Sequence, residues 1–126
     1  MTISYPEDRK YTSDHEWVRI AGDMAEVGIT NFAQQQLGDV VYVELPTAGA
    51  QVTAGQSFGS IESVKAVSEL FAPMSGQVVE VNSHLTTHPE VVNTDPHGTW
   101  MIKVRVSNAG EAAALLDSAQ YQKLLG

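Results

Sequence analysis

From Glu16 onward the chain alternates short apolar and polar positions between clusters of turn-forming residues. Trp17-Val18-Arg19-Ile20 and Ala25-Glu26-Val27-Gly28-Ile29 flank Ala21-Gly22-Asp23, which has the turn residues of a β-hairpin. The next stretch breaks the period-two pattern. Thr30 can cap a short helix and Gly38 can end it, while Phe32, Ala33 and Leu37 share its inward side. Strong β-formers return from Val40 to Leu45, closed by a turn over Pro46 to Gly49. Two further strand segments, Ser57 to Ser63 and Val67 to Ala72, approach Val64-Lys65-Ala66 from either side. Each is bounded on its far side by a turn signal, Val52 to Gly55 and Pro73 to Gly76. Gln77 to Val81 is again a strand. Asn82 to Thr99, with two prolines and little periodicity, predicts an irregular loop. Trp100, Ile102, Val104 and Val106 then alternate against Lys103 and Arg105, the pattern of a half-exposed strand. Asn108 and Glu111 have the spacing of a capping box. Ala112 to Leu116 and Gln120 to Leu125 are helical in character, with a break at Asp117-Ser118. The expectation is a mainly β domain ending in a helix or two.

A chain of 126 residues fits one domain, here expected over residues 11–126 with helices from about 109. The polar residues 1–10 predict a flexible N-terminal arm. There are no cysteines, so no disulfide framework or thiolate metal site is available. Any redox sulfur chemistry must come from outside the chain. The formal net charge of −8, from 15 acids against 7 bases, disfavours nucleic acid and anionic membrane partners. No apolar run approaches the ~20 residues of a spanning helix. The first residues lack the basic start and apolar core of a secretory signal and are not Arg-rich. A bacterial cytoplasm is the expected compartment, and a mature mitochondrial protein would look similar.

Among four lysines, Lys10 falls in the arm, Lys103 on a strand face, and Lys123 in the last helical turn, where a cation suits the helix dipole. Lys65 differs: it lies between two β-rich segments, with small or acidic neighbours. Local pattern alone favours a solubilising lysine at a hairpin bend. Glu62-Ser63-Val64-Lys65-Ala66, followed by Ala72-Pro73-Met74-Ser75-Gly76-Gln77-Val78-Val79-Glu80-Val81-Asn82, resembles the lipoylation hairpin of glycine cleavage H proteins. The resemblance extends in order through His15-Glu16-Trp17-Val18, Gly28 to Gln34, Leu37 to Pro46 and Trp100 to Val104, covering about Tyr11 to Leu124. Two departures stand out. Asn31 replaces the family's common Asp, a change expected to touch only local capping. Gly98-Thr99-Trp100 replaces a glycine directly before the tryptophan, and so alters that loop.

The resemblance implies a barrel-sandwich hybrid of two antiparallel sheets, lipoyl/biotinyl-domain-like, with short helices including a C-terminal segment. It implies lipoic acid amide-linked to Lys65. Its dithiolane would take the aminomethyl group of glycine from the pyridoxal-phosphate decarboxylase (P protein) to the aminomethyltransferase (T protein). Dihydrolipoyl dehydrogenase (L protein) would then reoxidise the arm. Such a chain is a carrier and not an enzyme: the cofactor supplies the chemistry and the protein positions it. Glu62, three residues before the lysine, is expected to help lipoate-attaching enzymes recognise the hairpin. Glu16 and Glu69, with Asp14, are expected to face the amine of a parked arm, although most acids on an acidic surface are only solvated. His84, His88, His97 and Asp95 have suggestive metal spacing, but Pro89 and the loop character argue against a helical site. Ser13-Asp14-His15 are adjacent in sequence, which does not give triad geometry. Competing functions are an H-like lipoyl or octanoyl relay and an unmodified protein-binding β-domain. A biotin carrier is disfavoured because Val64 and Ala66, not methionines, flank the lysine.

Overall fold

The computed structural model describes residues 5–126. Among the described residues nine strands form two antiparallel sheets: β1 (Lys10–Tyr11), β2 (Glu16–Ala21), β3 (Met24–Ile29), β4 (Val40–Glu44), β5 (Gln51–Val52), β6 (Ser57–Ser63), β7 (Val67–Phe71), β8 (Gly76–Val81) and β9 (Ile102–Val106). Six of them make one sheet in the order β1-β2-β3-β9-β8-β5, and β4-β6-β7 make the other. The β2–β3 hairpin pairs Glu16 with Ile29 and Ala21 with Met24. Its two-residue turn places Gly22 at φ 64, left-handed backbone that glycine adopts without a Cβ penalty.

Alternation along the strands sends Val18, Val27, Val78, Ile102 and Val104 of the large sheet against Val43, Ile61 and Leu70 of the small one. Leu37, Leu85 and Val92 close this core from three short helices, α1 (Asn31–Leu37), α2 (His84–Thr87) and α3 (Val91–Thr94). The expected barrel-like sandwich is therefore the fold. A second, aromatic cluster of Tyr11, Trp17 and Tyr121 lies apart from it, with Tyr5, Trp100, Leu116 and Leu125 packed around. Tyr121 comes from α4 (Ser118–Leu125), which follows a 3₁₀ turn over Ala109–Ala114.

The helix expected after Thr30 is present. The Thr30 hydroxyl accepts from the Ala33 N–H, and Gly38 ends the helix. Of its three inward residues only Leu37 is fully buried; Phe32 turns sideways onto the His15 ring, with centroids 4.6 Å apart. Residues 1–4 of the expected arm lie outside the described residues; within 5–10, Tyr5, Pro6 and Arg9 are partly buried and Glu7, Asp8 and Lys10 are exposed. Tyr5 meets Tyr11 and Tyr121 edge-on, the Arg9 guanidinium lies 4.5 Å over the Trp17 ring, and Lys10 opens β1. Aromatic area and a cation over an indole face hold that segment down. The segment 82–99 is not structureless, for it contains α2 and α3.

Trp100 does not share the face of Ile102 and Val104. Met101 and Ile102 are both fully buried, so the alternation slips there. Trp100 joins the aromatic cluster, under the Lys103 ammonium at 4.6 Å. Asn108 does cap the 3₁₀ turn, through the Gly110 N–H, but Glu111 does not complete a box. Its carboxylate instead accepts from the Ser75 N–H (2.7 Å) and hydroxyl (2.8 Å). The complete capping box is Asp117 with Gln120, at the expected helix break.

Candidate functional site

Lys65 stands at the tip of the β6–β7 hairpin. The strands pair out to Glu62 opposite Val67, and beyond them the Ser63 N–H donates to the Ala66 carbonyl at 2.8 Å. The buried Ser63 hydroxyl builds the turn. Its oxygen accepts from the Lys65 N–H (3.3 Å) and the Ala66 N–H (3.1 Å). Serine readily makes such local side-chain turns, but a strand pattern does not announce them. The Val64 N–H donates to the Asp39 carbonyl at 3.0 Å and ties the tip to the loop after α1. Lys65 is exposed between Val64 and Val67, which are 70% and 69% exposed. Its stem runs past Gly38, where a Cβ would stand 3.6 Å from the lysine Cε.

Strand β7 is an edge of the small sheet. Beside it runs a cleft of about 290 Å³, lined on the β7 side from Ala66, next to the lysine, to Leu70. Across it stand Asp14, His15 and Glu16 together with Ala33, Gln36 and Leu37 of α1. Ile29, Leu37, Ile61 and Leu70 give it apolar walls. A larger hollow of about 430 Å³ lies over Arg19, Met24, Glu26 and Lys103, away from the lysine hairpin. Its charges are already paired: Glu26 meets Arg19 at 2.8 Å and Lys103 at 3.8 Å.

Glu16 is only 2% exposed. It reaches the cleft through a tight turn in which the His15 N–H donates to the Thr12 carbonyl and His15 adopts φ 71. The Thr12 hydroxyl donates to Oε1 at 2.9 Å, and the Phe71 N–H, on β7, donates to Oε2 at 3.3 Å. Burial pushes this carboxyl up to about 8, against the opposing effect of those two hydrogen bonds; nearby Asp14 pushes the same way as burial. The group thus keeps its proton near neutral pH. Glu69 lines the same cleft, exposed, and accepts from the Ser57 hydroxyl. The structure therefore brings Asp14, Glu16 and Glu69 together. Glu62 stands apart on the outer sheet face, exposed between Tyr42 and Val67.

The other sequence candidates separate. His84 and His88 lie one turn apart with centroids at 4.7 Å, but His97 is engaged elsewhere, its Nε2 accepting from the Asn31 N–H at 3.0 Å. Among the described residues no three His, Asp or Glu side chains converge as a metal site. His15 Nδ1 pairs with the Tyr121 hydroxyl, not with Asp14. The Asn31 bond to His97 comes from its backbone N–H and does not depend on the side chain; what asparagine brings there is a buried Nδ2 with no hydrogen-bond partner among the described residues. In the altered loop, Asp95 accepts from the Gly98 N–H (3.1 Å), and the Thr99 hydroxyl donates to the Asp95 carbonyl (2.6 Å).

Residues 9–126 match the family model described as glycine cleavage H-protein. The glycine cleavage system H protein of Koribacter versatilis is 56% identical over 121 residues, covering 96% of this chain and 94% of the relative. That of an Anaeromyxobacter species is 57% identical over 121 residues, covering 95% and 94%. The crystal structure of the H protein from Mycobacterium marinum superposes with a TM-score of 0.90 at 45% identity, covering 97% of this chain and 99% of that one. The chain belongs to the glycine cleavage H-protein family, the non-catalytic lipoyl carriers of that system.

Proposed function

We propose that Lys65 carries lipoic acid through an amide to its ε-nitrogen, and that the cleft beside β7 receives the loaded arm between visits to partner enzymes. The observation that supports this most is the position of an exposed lysine at a hairpin tip, next to Ala66 at the end of an acid-lined cleft. The lining fits such a group, with aliphatic walls for a hydrocarbon arm and carboxyls for an amine at its end. When bound, the cofactor supplies a reversible dithiol that no side chain of this cysteine-free chain provides. The partners in this reading are the P, T and L proteins and the lipoate-attaching enzymes. The quoted relatives are bacterial, and with them we place the carrier in a bacterial cytoplasm.

The roles of the chain's own residues follow from their burial. Ser63 and Asp39 hold the tip so that Lys65 is presented in one orientation. Glu16 holds a proton while no cation is near, and an amine entering the cleft takes that proton to leave a carboxylate–ammonium pair. Glu69, at the solvent side, adds a second acceptor. Charge-assisted bonds of this kind contribute roughly 1.5–3 kcal/mol, and the lower value already shifts a population about tenfold. Combining Glu16→Gln with Glu69→Gln is therefore expected to speed non-enzymatic loss of ammonia and formaldehyde from purified aminomethylated protein by about tenfold. A decay time course without T protein measures it. Decay at the wild-type rate would show that neither acid protects the cargo.

Glu62 is assigned a different role, recognition of the hairpin by lipoate-attaching enzymes. It is exposed and makes no side-chain hydrogen bond or ion pair among the described residues, so Glu62→Ala should change stability by less than about 0.5 kcal/mol. The expected result is slower lipoylation with an unchanged melting temperature. Normal loading combined with a large loss of stability would make Glu62 a structural residue.

A further inference from the structure

The aromatic cluster is separate from the sandwich core, yet it buries a tyrosine hydroxyl completely. Tyr121 is 0% exposed, and its ring stacks on Tyr11 at 4.8 Å with an 11° interplanar angle. Phenylalanine would fill that packing equally well. A buried hydroxyl is costly unless paired, so its two partners identify what it does. One is His15 Nδ1 at 2.8 Å and the other is Thr30 Oγ1 at 2.8 Å. His15 belongs to the turn that delivers Glu16 into the cleft, and Thr30 caps α1, which stands beside that turn on the side facing β7. The two segments also touch directly, the Thr30 N–H donating to the His15 carbonyl at 3.0 Å.

Each group of this tie has both a donor and an acceptor to offer. Burial pushes the Tyr121 hydroxyl up to about 12, so it stays protonated, and burial pushes His15 below its ordinary value. A neutral imidazole accepts at Nδ1 when its proton is on Nε2. Thr30 Oγ1 accepts from the Ala33 N–H and keeps a second lone pair as well as its own proton. With His15 in the Nε2–H tautomer the bonds run from the Thr30 hydroxyl to Tyr121 Oη and from the Tyr121 hydroxyl to His15 Nδ1; with the proton on Nδ1 both reverse, and the tie is made either way.

We propose that Tyr121, on the C-terminal helix, is a positioning residue for the Lys65 cleft: its hydroxyl fixes the Glu16-bearing turn and the α1 wall relative to each other. The helix carrying it is itself clamped to the body. Leu116, just before its cap, exchanges two backbone bonds with Tyr11 (2.7 and 2.8 Å), and the Ser118 hydroxyl donates to the Tyr5 carbonyl at 2.7 Å. The C-terminal helix so acts on a site that it does not line. The inference rests on the cleft being the parking site, but its first tests need no cofactor.

Tyr121→Phe keeps the ring and removes the tie. In the unmodified chain, imidazole nitrogen NMR is expected to show His15 as a single neutral tautomer in the wild type and as a mixture in the variant. Amide exchange at Gln34, whose N–H bonds to the Thr30 carbonyl, should accelerate about five- to tenfold, the factor for one lost hydrogen bond. Exchange at Val78 and Val104 in the sandwich should stay at the wild-type rate. Thr30→Ser, which retains the hydroxyl, should preserve the tautomer, and Thr30→Val, which removes the α1 cap as well as the tie, should loosen the α1 end more than Tyr121→Phe does. An unchanged tautomer with unchanged Gln34 exchange in Tyr121→Phe would overturn the proposal, as would equal acceleration at all these amides. Should Tyr121→Phe fail to fold, Thr30→Val against Thr30→Ser decides by exchange at the His15 N–H, in the Glu16-bearing turn outside α1: acceleration in Thr30→Val only is expected, and none there would overturn the proposal. In aminomethylated protein Tyr121→Phe should also shorten the cargo lifetime. Loosened walls with an unchanged lifetime would leave the tie standing and contradict the parking role instead.

Discussion

Arginine at position 65 is expected to give a chain that folds as the wild type does and takes up no lipoyl group at all. Lys65 is exposed at the hairpin tip, and the turn is made by Ser63, Ala66 and the Asp39 carbonyl rather than by the lysine side chain. Exchanging one exposed cation for another there should change stability by no more than about 0.5 kcal/mol. The chemistry changes completely. A lysine amine becomes nucleophilic by losing a proton, whereas a guanidinium stays charged and cannot form the amide. Intact mass after incubation with a lipoate-attaching enzyme reads the result. An arginine variant that gains the mass of a lipoyl group would remove Lys65 from the account.

The second large effect is a pH dependence set by Glu16. In the folded chain burial pushes its carboxyl up to about 8, from an ordinary value of 4.5. Between those values the folded state keeps a proton that the unfolded chain has released. Stability must therefore fall as pH rises from about 4.5 through about 8, with the full loss present above the folded value. Each unit of such a displacement is worth about 1.4 kcal/mol, so the loss amounts to several kcal/mol. Glu16→Gln removes the charge with little change of shape. Its amide oxygen can still accept from the Phe71 N–H. Urea unfolding at pH 5.5 and pH 8.5 should show the wild type losing stability across this range and the variant losing much less. Parallel losses in both proteins would mean that Glu16 is ionised and solvated.

Local chemistry made much of this fold legible. Gly22-Asp23 marks the first hairpin because a two-residue turn needs left-handed backbone, and Thr30 with Gly38 brackets α1 because helix ends need those caps. Lys65 stands out by motif alone, since an exposed lysine at a bend has no periodicity to distinguish it. What stayed hidden depends on distant partners. The slip at Met101 moves Trp100 to another cluster, and nothing in the alternation of Ile102, Val104 and Val106 signals it. Glu111 has capping-box spacing, yet a serine 36 positions earlier claims its carboxylate. Glu16 was expected to face an amine, but its burial was not readable. A carboxyl sandwiched between Thr12 and the open edge of β7 exists only once both sheets have closed. Tyr121 and His15 meet across 106 positions, and neither residue alone suggests a tie.

Peptide mapping by mass spectrometry, on protein purified from a cell that keeps its own lipoylation machinery, tests the central claim most directly. The account predicts one lipoyl group per chain, on the peptide that contains Lys65. Unmodified Lys65 throughout, or the group on Lys10, Lys103 or Lys123, would contradict it.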